Sequence, residues 1–127
     1  MAALTTAEAN RLLDASFGTA TYTAPTTPMK LALATSASSA SAAGTEVSGG
    51  SYARQTLAMT AASAGSSPNT SLITFSNMPA CTVTHLDVYD SNGAPRRAWW
   101  AALTSSKVLG SGDALTFASS AISATLG

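Results

Sequence analysis

The sequence predicts a mainly β fold, an antiparallel β-sandwich or flattened barrel of about seven short strands with one N-terminal α-helix. Short segments rich in β-branched and aromatic residues alternate with Gly, Ser, Pro and Asn turns along most of the chain. The 3.6-residue period of an amphipathic helix is confined to the N-terminal stretch. We therefore expect one domain over residues 1–127, with the helix at about 6–17 and the β-domain at about 29–126.

The helix is predicted by its first turn and by one apolar stripe. Thr5 can cap the helix, and Glu8 three residues later completes the capping-box pattern. Gly18 suits the left-handed conformation that ends many helices. The stripe consists of Ala9, Leu12, Leu13, Ser16 and Phe17. We expect it to pack on the sheet of the same chain, and packing on a neighbouring subunit is the alternative.

Three strands are predicted in the first part of the β-domain, at Met29 to Thr35, Ser51 to Met59 and Leu72 to Phe75. Ser36 to Gly50 is small, polar and without periodicity, which predicts an exposed, mobile loop. A loop of this length favours contact with a neighbouring subunit, and the alternative is a plain surface excursion. A second small-residue loop is predicted from Ala62 to Thr70.

The second half of the chain predicts an antiparallel meander. Its elements are a strand at 82–89, a turn at Asp90–Gly93, a strand at Arg97–Leu103, a turn at Gly110–Asp113 and a strand at Ala114–Phe117. Strict alternation in the first strand places on one face Thr82, Thr84, Leu86 and Val88, and on the other Val83, His85, Asp87 and Tyr89. A final strand at Ile122 to Leu126 is expected at a sheet edge.

The charge content is unusually low for a free soluble protein. Charged residues make up 9% of the chain and the net charge is +0, against about 25% charged residues in typical domains. This balance argues against nucleic-acid binding and against a basic membrane-binding patch. No secretory signal or membrane-spanning run is apparent. We expect a chain that works in an assembly, and a small secreted domain is the alternative.

The reactive residues do not form a recognisable catalytic or metal-binding pattern. One cysteine, Cys81, and one histidine, His85, are too few for a zinc site. His85 and Asp87 are expected to form a polar, partly exposed stripe rather than part of a Ser/His/Asp triad. We therefore expect no enzyme activity, no cofactor and no metal, and a hydrolase that uses His85 with a serine is the least favoured alternative.

Arg96-Arg97 followed by Trp99-Trp100 is the densest interaction signature, because Arg and Trp are enriched at interface hot spots. Adjacent strand residues point to opposite faces, so one Trp should lie in the core and the other outside. Tyr52 and Arg54 complete the set of candidate interaction residues. The alternative is that the tryptophans pack locally and the arginines are solvated.

Several segments resemble a family of short tailed-phage virion proteins. The matching segments are AEANRLLDASFG, PMKLALATS, GTEVSGGSYARQ at 44–55, TVTHLDVYD at 82–90, AALTSSK at 101–107 and GDALTF at 112–117. Family members are often labelled tail fibre protein, and others resemble small capsid cement, or decoration, proteins. No catalytic residues come with the family.

The resemblance implies a virion structural protein. Our first expectation is a cement protein on the capsid exterior that binds and stabilises the major capsid protein shell, as a homotrimer. The alternative is a tail fibre or tail-tip component that contacts the host surface.

Overall fold

The computed structural model describes residues 2–126 and is mainly β with one helix, which confirms the predicted fold class. The elements in chain order are β1 (Ala3–Leu4), α1 (Thr6–Ser16), β2 (Met29–Ala34), β3 (Gln55–Leu57), β4 (Ser66–Pro68), β5 (Ile73–Phe75), β6 (Cys81–Tyr89), β7 (Arg97–Leu109), β8 (Leu115–Phe117) and β9 (Ser123–Thr125). The arrangement is sandwich-like and is not a closed barrel. Two short strands, β1 and β4, were not predicted, because neither has an alternating pattern long enough to read.

A five-stranded antiparallel sheet with the order β1-β7-β6-β2-β3 forms the main layer. Two smaller antiparallel pairs, β4-β9 and β5-β8, complete the fold. The predicted meander is therefore wrong at its third strand, because β8 pairs with β5 instead of β7. Backbone hydrogen bonds join Met78 to Asp113 and Gly112 to Met78, each at 2.8 Å. They hold the turn after β7 beside the end of β5, so β8 leaves the main sheet.

One hydrophobic core lies between the main sheet and the smaller pairs. The main sheet contributes Leu31, Leu33, Val83, Leu86 and Val88, and the smaller pairs with their flanks contribute Ile73, Phe75, Leu115 and Ile122. Phe75 is 1% exposed. Its ring stacks on Tyr52 with centroids 6.0 Å apart and meets Phe117 edge-on at 6.3 Å. These aromatic contacts join the β5-β8 pair to the segment before β3.

The pairing of β6 with β7 is interrupted between Val83 and His85. Val83 lies opposite Lys107, whereas His85 lies opposite Ala102, so β7 carries extra residues at this point. The interruption lets Val83 pack in the same core cluster as Leu86. Strict alternation, which places these two side chains on opposite faces, is therefore wrong for this strand.

The segment at 36–50 is not the fully exposed loop that its composition predicts. Ser38 and Val47 are buried, and the Val47 backbone N–H donates to the Leu33 carbonyl at 2.9 Å. Glu46 forms an isolated antiparallel bridge with Ala34. The segment therefore lies beside β2 and covers part of the main sheet.

The predicted strand at Ser51 to Met59 is shorter in the structure. Only Gln55–Leu57 pairs with β2. The Tyr52 backbone N–H instead donates to the Gly49 carbonyl at 3.2 Å, which closes a turn. That turn directs the Tyr52 ring against Phe75 in the core.

Helix α1 begins as predicted, with Thr5 as the N-cap residue that accepts the Glu8 backbone N–H at 3.3 Å. The predicted packing of its apolar stripe on the same chain is wrong for Leu13 and Phe17, whereas Ala9 and Leu12 are half-buried. Leu13 is 55% exposed and Phe17 is 79% exposed. Glu8 is the buried residue of the helix. The helix thus contacts the β-domain through a polar residue and turns apolar residues outward.

The core contacts of Phe75 predict a large loss of stability when its ring is removed. We expect Phe75→Ala to lower the free energy of unfolding by about 3–5 kcal/mol, through lost burial and a residual cavity. Urea denaturation measures this change. Leu72→Ala is the matched control, since Leu72 is 62% exposed, and it should change stability by less than about 0.5 kcal/mol. Equal effects of the two substitutions would contradict this description of the core.

Candidate functional site

Arg96, one of the predicted interaction residues, is committed to an ion pair within the chain. Its Nε donates to Glu8 Oε2 at 2.9 Å and its Nη2 donates to Glu8 Oε1 at 2.8 Å. The Tyr22 hydroxyl also donates to Glu8 Oε1, at 2.6 Å, and Arg96 Nη1 donates to the Thr23 carbonyl at 2.9 Å. Arg96 therefore joins α1, the 22–23 segment and the start of β7.

The environment of Glu8 favours its ionised form. Burial by itself raises the pKa of this carboxyl group, but hydrogen bonds from Arg96 and Tyr22 and the Arg96 charge outweigh it and lower the pKa. Glu8 is 2% exposed. Removing one partner would leave the other charge buried without compensation. The sequence gives no sign of this pair, because its members lie 88 positions apart and Glu8 resembles a capping-box residue.

Arg97 is held by a second buried carboxylate. Its Nη1 donates to Asp87 Oδ1 at 2.8 Å, and the Ser38 hydroxyl donates to Asp87 Oδ2 at 2.7 Å. Arg97 Nη2 donates to the Ser39 carbonyl at 2.7 Å. Asp87 is buried, so the predicted exposed stripe with His85 is wrong at this residue. The cluster fastens the 36–50 segment to β6 and β7.

Tyr52 and Arg54 converge on Glu46. Arg54 donates from Nε and Nη2 to the two carboxylate oxygens of Glu46 at 2.9 and 2.8 Å, and the Tyr52 hydroxyl donates to Oε2 at 2.7 Å. The Arg54 guanidinium also lies 3.9 Å from the centroid of the Tyr89 ring. Burial and the nearby Glu46 carboxylate raise the pKa of Tyr52, which keeps its hydroxyl protonated. These side chains fix the start of β3.

The tryptophans lie on opposite faces of β7, and both are half-buried. Trp99 packs against the core, as predicted for one of the pair. It lines an apolar cavity of about 150 Å³ together with Ala2, Met29, Leu57, Met59, Ser67, Val88, Ile122 and Ala124. Trp100, on the face opposite to Trp99, is half-buried and so only partly exposed. Its Nε1 is buried and has no hydrogen-bond partner among the described residues.

An exposed apolar surface lies beside α1, where the amphipathic pattern of the helix predicts contact with the sheet. We call it the outer apolar face and define it by Leu4, Ala9, Leu12, Leu13, Phe17 and Leu126. A groove of about 520 Å³ is lined by Leu4, Ala9, Leu12, Leu13, Ser16 and Leu126. Phe17 follows the helix as its C-cap residue. The amphipathic pattern identified the stripe, but the direction in which it points depends on where Glu8 is buried.

The remaining chemistry is sparse among residues 2–126. They contain no group of three or more His, Cys, Asp and Glu side chains placed to hold a metal ion. None of their helices is both long and apolar enough to cross a membrane. The His85 Nδ1 lies 2.9 Å from the Thr84 hydroxyl oxygen. The exposed apolar surface beside α1 is the candidate functional feature.

A family model described as Podophage GP4 fiber I protein gp80 matches residues 3–125. The match covers nearly the whole chain, and the chain belongs to this family. It is therefore a structural protein of a tailed-phage virion, as the resemblance of its segments predicted. No curated protein matches the chain.

The buried ion pair predicts a specific loss of stability at acid pH. The pKa of Glu8 is lowered in the folded protein from its ordinary value of 4.5. Its contribution to stability is therefore fully present above pH 4.5 and is lost as the pH falls through the folded value. We expect Glu8→Gln to lower the free energy of unfolding at pH 7 by about 3 kcal/mol and to flatten the acid limb of the stability profile.

Asp14→Asn is the control for this experiment, since Asp14 is an exposed carboxylate on the same helix. It should change stability at pH 7 by less than about 0.5 kcal/mol. Urea denaturation of the three proteins from pH 3 to pH 7 makes the comparison. An acid limb of unchanged slope in Glu8→Gln would show that Glu8 does not carry this dependence.

Proposed function

We propose that the chain is a subunit of a tail fibre and acts through protein–protein contacts. The observation that carries this proposal is the family match over residues 3–125, since the family is described as a fiber protein. The fibre role is the alternative that the resemblance of the segments implied, and the family description favours it. A role without catalysis is part of the proposal.

The distribution of charge supports a role in an assembly. Four of the six basic side chains, Arg11, Arg54, Arg96 and Arg97, form salt bridges within the chain. The surface is therefore even poorer in free charge than the composition suggests. Burying such a surface against another protein desolvates few charged groups.

Capsid cement is the second candidate, and the compact shape of the domain favours it. The described residues form short sheets and one helix of 11 residues, without an elongated shaft. A small domain of this kind could bridge neighbouring major capsid proteins on the capsid exterior as a homotrimer. The Trp99/Trp100 region of β7 and the 36–50 segment would supply the contacts.

Neither candidate relies mainly on the four polar residues that the sequence predicts as interaction residues. Arg96, Arg97, Tyr52 and Arg54 hold parts of the chain together, so their first role is internal. We propose that contact with other virion proteins falls mainly to the exposed apolar residues. Contact between the four polar side chains and another protein stays a prediction.

Copy number and position in purified virions test the proposal. We expect mass spectrometry to find a small number of copies per major capsid protein, and antibodies against the chain to label the tail. Near-stoichiometric copies with label over the shell would instead support cement. Absence of the chain from purified virions would contradict both candidates.

Heat resistance separates the candidates by a second route. A cement protein stabilises the shell because it binds the assembled lattice and not its dissociated subunits. If the chain is a fibre subunit, capsids from a deletion phage should release DNA at the same temperature as wild-type capsids. A lower release temperature in the deletion phage, which returns to the wild-type value when the purified protein is added, would support the cement role.

A further inference from the structure

Helix α1 is attached to the β-domain in the reverse of the usual orientation for an amphipathic helix. Its buried anchor is Glu8, which is paired with Arg96, whereas Leu13 and Phe17 are 55% and 79% exposed. Leu126 is 54% exposed and lines the same groove as Leu13. These three side chains expose on the order of 400 Å² of apolar area, which is the size of the largest apolar patch on a typical monomer, and such a patch is often functional.

We propose that a second copy of this chain covers the outer apolar face, through antiparallel pairing of the two α1 helices about a twofold axis at Leu13. In this register Leu13 meets its own copy, and Phe17 lies opposite Ala9 of the second copy. The largest side chain of the face thus meets its smallest, because both lie four positions from Leu13. A twofold contact uses one patch on both subunits and therefore requires such self-complementarity.

The groove provides the space that this register needs. Ala9 lines the groove between α1, Leu4 and Leu126, while Phe17 projects from the end of the same helix. One surface therefore carries both a protruding ring and a concave apolar site. A twofold axis inserts each Phe17 into the groove of the other copy.

The charge and the size of the face also fit a second copy. No charged residue lines the groove, so placing the face against itself brings no like charges together. If the contact buries all of this area and has the usual apolar share of about 57%, on the order of 400 Å² of apolar area corresponds to roughly 700 Å² per copy. Two copies would bury roughly 1,400 Å² in total, within the size range of specific protein–protein interfaces. The proposal holds for a fibre subunit as a dimer contact, and for the homotrimeric cement candidate as a twofold contact that joins two trimers.

Cysteine cross-linking of the full-length chain tests the register, in a Cys81→Ala background. Leu13→Cys should form a disulfide with its own copy under mild oxidation. Phe17→Cys alone should not, because the two Cα atoms would lie about 12 Å apart along the helices, beyond the ~7 Å limit of a disulfide. Ala9→Cys and Phe17→Cys, co-expressed with different tags, should cross-link to each other. Self-cross-linking of Phe17→Cys without the mixed product would overturn the antiparallel arrangement.

The mass of the native assembly in solution tests whether the outer apolar face is an interface, independently of the helix register. We expect the wild-type chain to form a dimer or a larger assembly with an even number of chains. Leu13→Glu should halve its mass, because it places two carboxylates across the axis, and circular dichroism should show that the fold is retained. Val108→Glu is the matched control, since Val108 is an apolar residue 79% exposed on β7, and it should leave the mass unchanged. A wild-type monomer at high concentration, or equal effects of the two substitutions, would overturn the proposal.

Discussion

The buried pair of Glu8 and Arg96 fixes how the N-terminal helix sits on the β-domain. A carboxylate removed from water needs close partners, and Glu8 receives hydrogen bonds from Arg96, Tyr22 and Arg11. These partners come from three different parts of the chain. Once Glu8 faces inward, helical geometry places Leu13 and Phe17 toward solvent. The exposed apolar surface is thus a consequence of where one charge is buried.

Two further buried or half-buried carboxylates fasten the 36–50 segment to the main sheet in the same way. Asp87 holds Arg97 and Ser38, and Glu46 holds Arg54 and Tyr52. The segments that these clusters fasten are rich in Ala, Ser and Gly, which provide little apolar area of their own. Charge-assisted hydrogen bonds compensate because they are strong and directional. Most of the few charged residues of the chain therefore form contacts within its own fold.

The parts of the fold that the sequence predicted are those set by local patterns. Thr5 caps the helix because its side chain and the Glu8 backbone N–H are neighbours in the chain. The alternation of β6 and the run Met29–Ala34 likewise reveal strands without reference to any partner. Their bounds agree with the structure to within a residue.

The parts that escaped prediction depend on contacts between distant segments. A strand pattern at Leu115–Phe117 does not say that Ile73–Phe75 is its partner. The interruption of pairing after Val83 reflects extra residues in β7, which no periodicity within β6 reveals. The inward direction of Glu8 requires an arginine 88 positions away. For the candidate site, the sequence identified Trp99 and the apolar stripe, but not which residues the fold would leave exposed.

These constraints bear on how such a chain can recognise its neighbours. Charge patterns usually provide orientation and specificity at protein interfaces, but here all four arginines form salt bridges within the chain. Recognition must then rest on shape and on the fit of large side chains into small ones. Phe17 beside the groove at Ala9 is a feature of that kind. A virion protein with these properties can use its charged side chains for internal ion pairs and still assemble specifically through the shape of its apolar surface.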